Sequence, residues 1–370
     1  MKTLLVSLVS DQTIPNVQLI EEFKNQVYCY LFITTKSKKD RAEWIIKSSG
    51  ISHACIKEIE VNEFSFDDIE TKLDTFPFDE YERKILNLTG GTKVMVLASY
   101  EYFKELGAEI YYLTGNENEY IKLAPGRKKK VFHLNSKLNL HQYLIAYGFN
   151  VSPTSPSSIS FEITQNTFNK YIEGKFLNYE NVLSELRKNR SKKNIDISLI
   201  ENLSNFLNEI KFIPQENNKL NRLEIKYLTG EWFEEYVAHK IQKELNLSND
   251  EIKTGLIITK KNRNGVDIQN EMDVLFIYND KLYTIECKTS IYITSNIDGK
   301  MERTNILKET IFKSDSLKQG FGLYVNTSIF ILDDLQSNIN LERAHLSNIS
   351  IFDKKSIKSS TQLKDILKIK

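Results

Sequence analysis

Cysteine is scarce in this sequence. Only Cys29, Cys55 and Cys287 occur among 370 residues, at spacings unlike those of any zinc motif. Their odd number argues against a disulfide framework and is typical of a reducing compartment. Long apolar runs are also missing, because none approaches the roughly 20 residues that span a bilayer, and the stretch at 4–9 is too short for a signal peptide. We therefore expect a cytoplasmic protein with no structural metal and no membrane partner.

An excess of charge of one sign is also missing, because 50 lysines and arginines nearly balance 49 aspartates and glutamates. A global basic field that attracts nucleic acid is therefore excluded, and any such contact must come from local patches. Three basic segments could supply one, at residues 127–130, 187–193 and 260–263. Each can equally be an ordinary solvated charged surface.

The length favours two domains rather than one core. In the first part, short β-rich runs alternate with amphipathic segments, the order that is typical of βαβ units and a doubly wound, Rossmann-like parallel sheet. Strands are predicted at 4–9, 28–34, 55–61, 85–88 and 109–113, helices at 17–25, 41–49 and 94–106, and a hairpin at 118–133.

The second part follows a different pattern. A polar linker is predicted at 152–158 and mostly helical structure at 160–215. After them we expect a helix at 231–245, strands at 256–260, 271–278 and 281–288, a helix at 306–318 and a strand at 323–332. The predicted division is a first α/β domain at 1–150, a linker and helical connector at 151–222, and a second α/β domain at 223–370.

The strongest chemical signal is a pair of β-rich runs on either side of residues 279–280, the pattern of a two-residue hairpin turn. With that turn, Asp273 lies directly opposite Glu286. Lys288 and Glu271 fall on the same face, because side chains alternate along a strand. Two carboxylates and a lysine are therefore predicted to converge at the open end of the hairpin.

Carboxylates that face each other across a strand pair repel unless a cation compensates them. Magnesium and manganese prefer oxygen ligands, so Asp273, Glu286 and the carbonyl of Cys287 are candidate metal ligands. A metal there would activate a water and stabilise charge on a phosphate. Lys288 could position the water, deprotonate it or stabilise the transition state, and the spacing leaves these roles open. The simpler alternative is an exposed hairpin on which Lys288 forms salt bridges with solubilising carboxylates.

A further carboxylate is expected from the helix at 231–245. On a helical wheel Glu234 lies closest to the apolar stripe, whereas Glu231 and Glu235 point further into solvent. Glu234 is therefore the predicted additional catalytic residue and metal ligand, with Glu231 in reserve. The side chain of Cys287 is interpreted as an outward-facing packing residue rather than a nucleophile, since no histidine is placed near it.

Two loops of the first domain have the composition of a ligand site. Ligands of open α/β sheets bind beyond the carboxyl ends of strands, where residues 10–16 and 87–93 are expected, with 34–36 beside them. Adjacent glycines allow close approach of a ligand, and a helix N-terminus suits phosphate. A tight turn without any ligand would explain the glycines equally well. The candidate ligand-binding residues are Asp11, Gln12, Thr13, Thr34, Thr35, Asn87, Thr89, Gly90, Gly91, Thr92 and Lys93.

These segments together resemble one family. The motif Gly-Glu-Trp-Phe-Glu-Glu-Tyr-Val at 230–237, Asn-Glu-Met-Asp-Val at 270–274 and Glu-Cys-Lys-Thr at 286–289 resemble the PD-(D/E)xK nuclease domain of CRISPR-associated effectors. Residues 311–318, with Gly320 and Gly322, resemble the helix and turn that follow its active site. In that family the nuclease follows a CARF sensor domain, and the loops at 11–16 and 88–93 resemble those of CARF domains.

The resemblance implies a function. CARF domains of these effectors bind cyclic oligoadenylates made by type III CRISPR complexes and usually pair as dimers. We therefore expect a homodimeric nuclease that requires Mn²⁺ or Mg²⁺, is activated by a cyclic oligoadenylate, with the tetra-adenylate as the first choice, and cleaves DNA, RNA or both.

Three other functions remain open at this point. One is a transcription regulator with a helix-turn-helix in residues 160–215, and another is a ring nuclease that degrades its messenger in the first domain. The third is a restriction-type enzyme that needs no activator.

Overall fold

The computed structural model describes residues 1–115, 118–152, 159–262, 264–297, 300–335 and 338–369. The strands are β1 (Thr3–Leu8), β2 (Cys29–Thr34), β3 (Ile56–Glu60), β4 (Arg83–Asn87), β5 (Glu109–Leu113), β6 (Glu119–Ala124), β7 (Lys130–His133), β8 (Asn150–Val151), β9 (Asn194–Asp196), β10 (Lys219–Asn221), β11 (Ile252–Lys261), β12 (Asp267–Tyr278), β13 (Lys281–Lys288), β14 (Tyr292–Ile297), β15 (Lys300–Asn305), β16 (Val325–Ile331) and β17 (Ile349–Phe352). The helices are α1 (Ile14–Phe23), α2 (Lys39–Ser49), α3 (Phe66–Asp74), α4 (Lys93–Glu105), α5 (Leu140–Ala146), α6 (Phe161–Ile172), α7 (Glu180–Lys188), α8 (Leu203–Glu209), α9 (Arg222–Lys226), α10 (Trp232–Leu245), α11 (Leu307–Gly320), α12 (Asn338–Leu346), α13 (Lys354–Ser359) and α14 (Leu363–Ile366).

The first sheet has the strand order β3-β2-β1-β4-β5-β6-β7. Its first five strands are parallel, and β6 and β7 extend it as an antiparallel hairpin. Every residue of β1 and β2 is buried, as expected for central strands that helices cover on both faces. The doubly wound parallel sheet expected from the sequence is therefore confirmed.

One helix of this sheet was not predicted. Helix α3 begins after Ser65, whose side chain accepts a hydrogen bond from the backbone N–H of Asp68. Two acidic residues stand in its first turn, and Ile69 and Leu73 form its buried stripe. The serine cap and the acidic first turn are the sequence signal that could have identified it.

The second sheet has the strand order β17-β16-β13-β12-β11-β8. Strands β12 and β13 form an antiparallel hairpin, and β13 pairs with β16 in parallel. Asn279 and Asp280 both have positive φ, the backbone conformation of a type I′ hairpin turn. The pairing of Tyr278 with Lys281 sets the predicted register of the hairpin.

Some of the other elements predicted for the second part are found, and others are not. The helices predicted at 231–245 and 306–318 are found as α10 and α11, and 160–215 is mostly helical. The hairpin formed by β14 and β15 was missed. The linker predicted at 152–158 lies almost wholly outside the described residues. Strand β8, at the edge of the proposed first domain, pairs with β11 of the second sheet.

The two sheets share one hydrophobic core. Leu5 and Val17 of the first part belong to the same buried cluster as Leu256, Leu275 and Leu282 of the second. This core lies on the same face of β12 and β13 as the predicted carboxylate site, because Leu275 and Leu282 are an even number of residues from Asp273 and Glu286. No helix within the described residues is long and apolar enough to cross a bilayer.

A polar contact joins the sheets at the end of the hairpin. The buried carboxylate of Asp280 accepts hydrogen bonds from Gln18 Nε2 at 3.0 Å and from the backbone N–H of Leu138 at 2.9 Å. The turn between β12 and β13 is thus held by residues of the first part of the chain.

Candidate functional site

The hairpin of β12 and β13 brings Asp273, Glu286 and Lys288 together on one face. Lys288 Nζ lies 3.2 Å from Asp273 Oδ2 and 2.7 Å from Glu286 Oε1. Asp273 is 9% exposed and Glu286 is 8% exposed. An exposed hairpin with solubilising charges would leave these carboxylates in solvent, so the simpler alternative does not describe this hairpin.

The backbone around Cys287 completes this arrangement. Its N–H donates to Asp273 Oδ2 at 2.8 Å, and its carbonyl oxygen accepts from Lys288 Nζ at 3.3 Å. The thiol is buried in the hydrophobic core, and this burial raises its pKa well above the usual range. Cys287 is therefore a packing residue, but it faces inward and not outward as we expected from the sequence.

Helix α10 brings Glu234 to the same site. Phe233, Val237 and Ile241 bury one face of the helix and fix its rotation. Burial, followed by the negative charges of Asp273 and Glu231, raises the pKa of Glu234 well above the usual range. Because the charge of Asp273 acts most strongly on it, Glu234 belongs to the same electrostatic cluster.

The other two glutamates of this helix turn are held elsewhere. Glu231 Oε1 lies 3.3 Å from both Arg190 Nη2 and Lys226 Nζ, so its charge is compensated locally. Glu235 has one carboxylate oxygen buried. The expectation that Glu235 points into solvent is wrong, because the helical wheel took no account of the connector helices that pack over this end of α10.

The carboxylates of the site have opposed pKa shifts. Burial and then the charge of Glu286 raise the pKa of Asp273, although Lys288 and the Cys287 N–H oppose the shift. Burial would also raise the pKa of Glu286, but the ammonium groups of Lys288 and Lys313 outweigh it and lower the pKa. Neighbouring carboxylates with opposed shifts are typical of sites that bind cations or transfer protons.

The sensor loops of the first sheet meet at the point where strand order reverses. Strands β1 and β4 are neighbours, and the chain leaves their carboxyl ends in opposite directions, the usual position of a ligand in such sheets. A Cβ at Gly90 would overlap the carbonyl oxygen of Leu8, and Gly91 has a φ of +82°. Both positions of this turn therefore require glycine.

Two hydroxyls of this turn already have partners. Thr92 caps helix α4, because its Oγ1 accepts from the Met95 N–H at 3.3 Å and donates to the Glu63 carbonyl at 2.9 Å. Thr89 Oγ1 accepts from the Leu113 N–H at 2.9 Å. Lys93, in the first turn of α4, is exposed and free to meet a ligand.

Several predicted ligand-binding side chains are buried. Thr13, Thr34, Thr35 and Asn87 are all at most 3% exposed. Thr13 Oγ1 donates to the Ala146 carbonyl, and Asn87 Nδ2 donates to the Pro15 carbonyl at 3.1 Å and to Asn16 Oδ1 at 2.8 Å. In this structure these four buried side chains lie within the loops, where a polar side chain just after a buried strand can satisfy the backbone around it.

The remaining two predicted residues stand at the surface of the loop after β1. Lys38 Nζ lies 2.7 Å and Arg41 Nε 3.2 Å from the exposed carboxylate of Asp11. Gln12 Oε1 accepts from Tyr147 OH and from the Leu323 N–H, both at 3.1 Å. Gln12 thus links the sensor loop to the second part of the chain.

The two halves of the chain match two family models. Residues 4–143 match the Card1 CARF domain, and residues 221–369 match the Card1-like endonuclease domain. The chain therefore joins a Card1 CARF domain to a Card1-like endonuclease domain. The loops after β1, β2 and β4 all lie within the CARF match, and Glu234, Asp273, Glu286 and Lys288 all lie within the endonuclease match.

Solved structures share this architecture. Can2 from Sulfobacillus thermosulfidooxidans, solved in complex with cyclic tetra-adenylate, is 22% identical with a TM-score of 0.71, covering 96% of each chain. Protein VC1899 from Vibrio cholerae is 18% identical with a TM-score of 0.76, covering 99% of this chain and 98% of its own. A type III CRISPR defence DNA nuclease activated by cyclic oligoadenylate is 13% identical with a TM-score of 0.55, and covers 98% of this chain and 52% of its own. No curated protein sequence matches the chain.

The oxygen ligands at the candidate site of the endonuclease domain suit a hard divalent cation. Glu234, Asp273, Glu286 and the Cys287 carbonyl all offer oxygen. Among the described residues, no three carboxylate, thiol or imidazole groups are positioned to share an ion, and the Lys288 ammonium contacts both Asp273 and Glu286. These oxygen ligands fit a divalent cation, which would replace the Lys288 ammonium as the partner of Asp273 and Glu286.

Sequence reasoning missed one residue of this site. Lys313 of α11 places its Nζ 3.2 Å from Glu286 Oε1 and 3.4 Å from Oε2. The segment at 311–318 had been matched to the family, but Lys313 was not singled out. The contact depends on how α11 packs against β16, the neighbour of β13, which the sequence pattern does not specify.

The basic segments lie in different surroundings. Residues 127–130 are exposed. Lys260 Nζ lies 5.3 Å from the ring centroid of Trp44 and 4.6 Å from that of Phe149, so it packs against these two rings. Arg263 lies outside the described residues.

The connector helix α7 ends close to the start of α10 in the endonuclease domain. Arg190, just past its end, pairs with Glu231 of the endonuclease match. The charge of Arg187 acts on Tyr171, whose hydroxyl donates to the carbonyl of Thr289 at 3.3 Å. Thr289 directly follows Lys288, so the basic segment at 187–193 begins beside the candidate site.

Proposed function

We propose that this chain is a divalent-metal-dependent nuclease that a cyclic oligoadenylate activates, and that Glu234, Asp273, Glu286 and Lys288 form its catalytic centre. The observation that carries the proposal is the convergence of Asp273, Glu286 and Lys288 on one face of the β12–β13 hairpin, with the charge of Asp273 acting on Glu234 of α10. This convergence lies within a domain whose family is an endonuclease family.

Each residue has a distinct role in the proposed reaction. Mg²⁺ or Mn²⁺, held by Glu234, Asp273, Glu286 and the Cys287 carbonyl, would lower the pKa of a water and offset charge on the phosphate. Lys288 is the donor that would hold the attacking water or a non-bridging phosphate oxygen, because its Nζ already lies within hydrogen-bond distance of both hairpin carboxylates. The Cys287 N–H fixes the orientation of Asp273.

The proposed activator is cyclic tetra-adenylate. The Card1 CARF match and the fold shared with Can2, which was solved with that ligand, support the choice. The crevice beyond β1 and β4 offers the N-terminal amides of α4 and the ammonium of Lys93 to phosphates. A ring with two-fold symmetry is best matched by two identical subunits, so we propose a homodimer.

The proposed substrates are DNA, RNA or both, bound along the basic segment at 187–193. Arg187 forms no salt bridge with a carboxylate among the described residues, and its side chain is exposed. An exposed guanidinium close to the candidate site suits a phosphate of the nucleic-acid backbone.

A single panel of reactions tests the proposal. Purified chain is incubated with labelled single-stranded DNA, double-stranded DNA or RNA, with each cyclic oligoadenylate, and with Mn²⁺, Mg²⁺ or EDTA. We expect cleavage only when cyclic tetra-adenylate and a divalent metal are both present. Cleavage without an activator would instead indicate a restriction-type enzyme, and linear product from the cyclic ligand without metal would indicate a ring nuclease. Nucleic-acid binding without any cleavage would indicate a regulator.

Variants of the hairpin test the residue assignment. Asp273→Ala, Glu286→Ala and Lys288→Ala should each abolish cleavage and leave binding of the cyclic ligand unchanged. Asp267→Ala removes an exposed carboxylate from the outer end of the same β12 strand and serves as the matched control. Undiminished cleavage by the first three variants would defeat the assignment.

A further inference from the structure

Lys313 reaches the candidate site from a different element than the other residues. Helix α11 buries Leu307, Ile311 and Ser314 against its surroundings, which leaves Lys313 at the border of the buried face. Its side chain is 44% exposed, whereas that of Glu286 is 8% exposed. The ammonium therefore extends from the solvent edge to a buried carboxylate.

Two ammonium groups share one carboxylate in this arrangement. Glu286 Oε1 lies 2.7 Å from Lys288 Nζ and 3.2 Å from Lys313 Nζ. Lys288 has other acceptors, namely Asp273 Oδ2 at 3.2 Å and the Cys287 carbonyl at 3.3 Å. For Lys313, Glu286 is the only acceptor within the described part of the chain. A metal held by Asp273, Glu286 and the Cys287 carbonyl would release both ammonium groups, and Lys313, which reaches the site from another element, would lose its single acceptor.

We propose that Lys313 is a further catalytic residue, whose ammonium binds a non-bridging oxygen of the scissile phosphate. The inference rests on the proposed nuclease function. A cation released from Glu286 at the solvent edge stands where an incoming phosphate must pass, and it offsets negative charge that grows in the transition state. Water adds to phosphorus, the bond to the leaving oxygen breaks with its electron pair on that oxygen, and the proton lost by the water passes through solvent to the leaving oxygen, while Lys313 neither gains nor loses a proton.

A purely structural role makes a different prediction. If the pair with Glu286 only tethered α11 to β13, removing the charge of Lys313 would change stability and leave the rate of the chemical step unchanged. A phosphate-binding role changes kcat. Under this role, replacing Lys313 also removes an ammonium that competes with the metal for Glu286, so the affinity for the metal should not fall.

The test compares Lys313→Gln and Lys313→Ala with Lys308→Ala. Lys308 is exposed on the same helix, with its Nζ 5.9 Å from the ring centroid of Phe312, and its loss serves as the matched control. Each variant is assayed for kcat and KM in the presence of activator, and for Mn²⁺ affinity by calorimetry. Lys313→Gln removes the charge but keeps a polar side chain with an N–H donor, so it decides between the two roles if Lys313→Ala does not fold.

We expect Lys313→Gln to lower kcat by about 10- to 100-fold and to bind Mn²⁺ as tightly as the wild type or more tightly. Lys308→Ala should match the wild type in both measurements. A kcat for Lys313→Gln within threefold of the control overturns the inference, and so does weaker Mn²⁺ binding, which would mean that Lys313 supports the metal site. If the wild-type chain itself never cuts, the proposed function fails instead.

Discussion

The backbone N–H of Leu323 donates to Oε1 of Gln12 over 3.1 Å, so a side chain of the sensor loop contacts the endonuclease domain directly. The same oxygen accepts from the hydroxyl of Tyr147. Gln12 directly follows Asp11 in the loop that the CARF resemblance assigns to ligand binding. A ligand that moves this loop must therefore also act on the segment that leads into β16.

Gln12→Ala should weaken communication between the two domains. A hydrogen bond contributes about 1 kcal/mol net, so the increase in cleavage caused by cyclic tetra-adenylate should shrink by about fivefold. The dose response of cleavage measures this change. Leu323→Ala keeps the backbone donor and removes only an exposed side chain, so it should behave as the wild type. Equal activation in both variants would argue against a coupling role for Gln12.

Asp280 should contribute to the stability of the contact between the domains. Asp280→Ala leaves the Leu138 N–H and the amide of Gln18 without their buried acceptor, which costs about 1–3 kcal/mol. Asp280→Asn retains a carbonyl acceptor and tolerates the positive φ of the turn, so it should cost less. Urea unfolding of both variants measures the difference. If the free energy of unfolding falls no further in Asp280→Ala than in Asp280→Asn, the hydrogen-bond argument is contradicted.

Much of the fold follows from local patterns in the sequence. The central strands are continuous apolar runs, and the turn at 279–280 fixes the hairpin register, so the side chains of Asp273 and Glu286 could be assigned to one face. The helical wheel identified Glu234 because α10 buries a single stripe. These predictions succeeded where one element alone determines the direction of a side chain.

The misses depend on packing between elements. Lys313 meets Glu286 only because α11 packs against β16, the neighbour of β13, and one carboxylate oxygen of Glu235 is buried by its surroundings. The amide of Asn87, a predicted ligand-binding residue, donates to Asn16 Oδ1 and joins the two loops, which the sequence did not indicate. Polar residues that follow a buried strand serve ligand binding and loop closure alike, so their type alone could not separate these roles.

Acid should destabilise the CARF domain through Glu109. Burial alone would raise the pKa of Glu109, but hydrogen bonds from Arg83, Lys122 and Tyr111 lower it from 4.5 to about 2. A depressed folded-state pKa stabilises the fold above pH 4.5, and this stability is lost as the pH falls toward 2. Glu109→Gln should therefore cost about 1–3 kcal/mol at pH 7.

Urea unfolding of Glu109→Gln and the wild type between pH 7 and pH 2 measures this effect. The difference between the two proteins should shrink steadily below pH 4.5. Glu105→Gln, at the exposed end of α4, is the control and should track the wild type at every pH. A constant difference across the range would mean that the ion pairs of Glu109 do not produce the stabilisation.

Removing the charge of Arg187 should weaken substrate binding without slowing the chemical step. The guanidinium forms no salt bridge with a carboxylate within the described residues and lies close to Tyr171, whose hydroxyl bonds the backbone next to Lys288. Arg187→Ala should therefore raise the KM for nucleic acid and leave kcat near the wild-type value. The slope of log KM against log salt should fall by about 0.7 to 1, the loss of one phosphate contact.

Lys188→Ala supplies the matched control for this experiment. Lys188 is the next residue of the same helix, but its Nζ lies 2.6 Å from Glu185 Oε1, so its charge is already compensated. Its removal should change neither KM nor the salt slope. If Arg187→Ala and Lys188→Ala lower the affinity for nucleic acid equally, the segment at 187–193 acts only as a diffuse basic surface. The nucleic acid then makes no specific contact with Arg187.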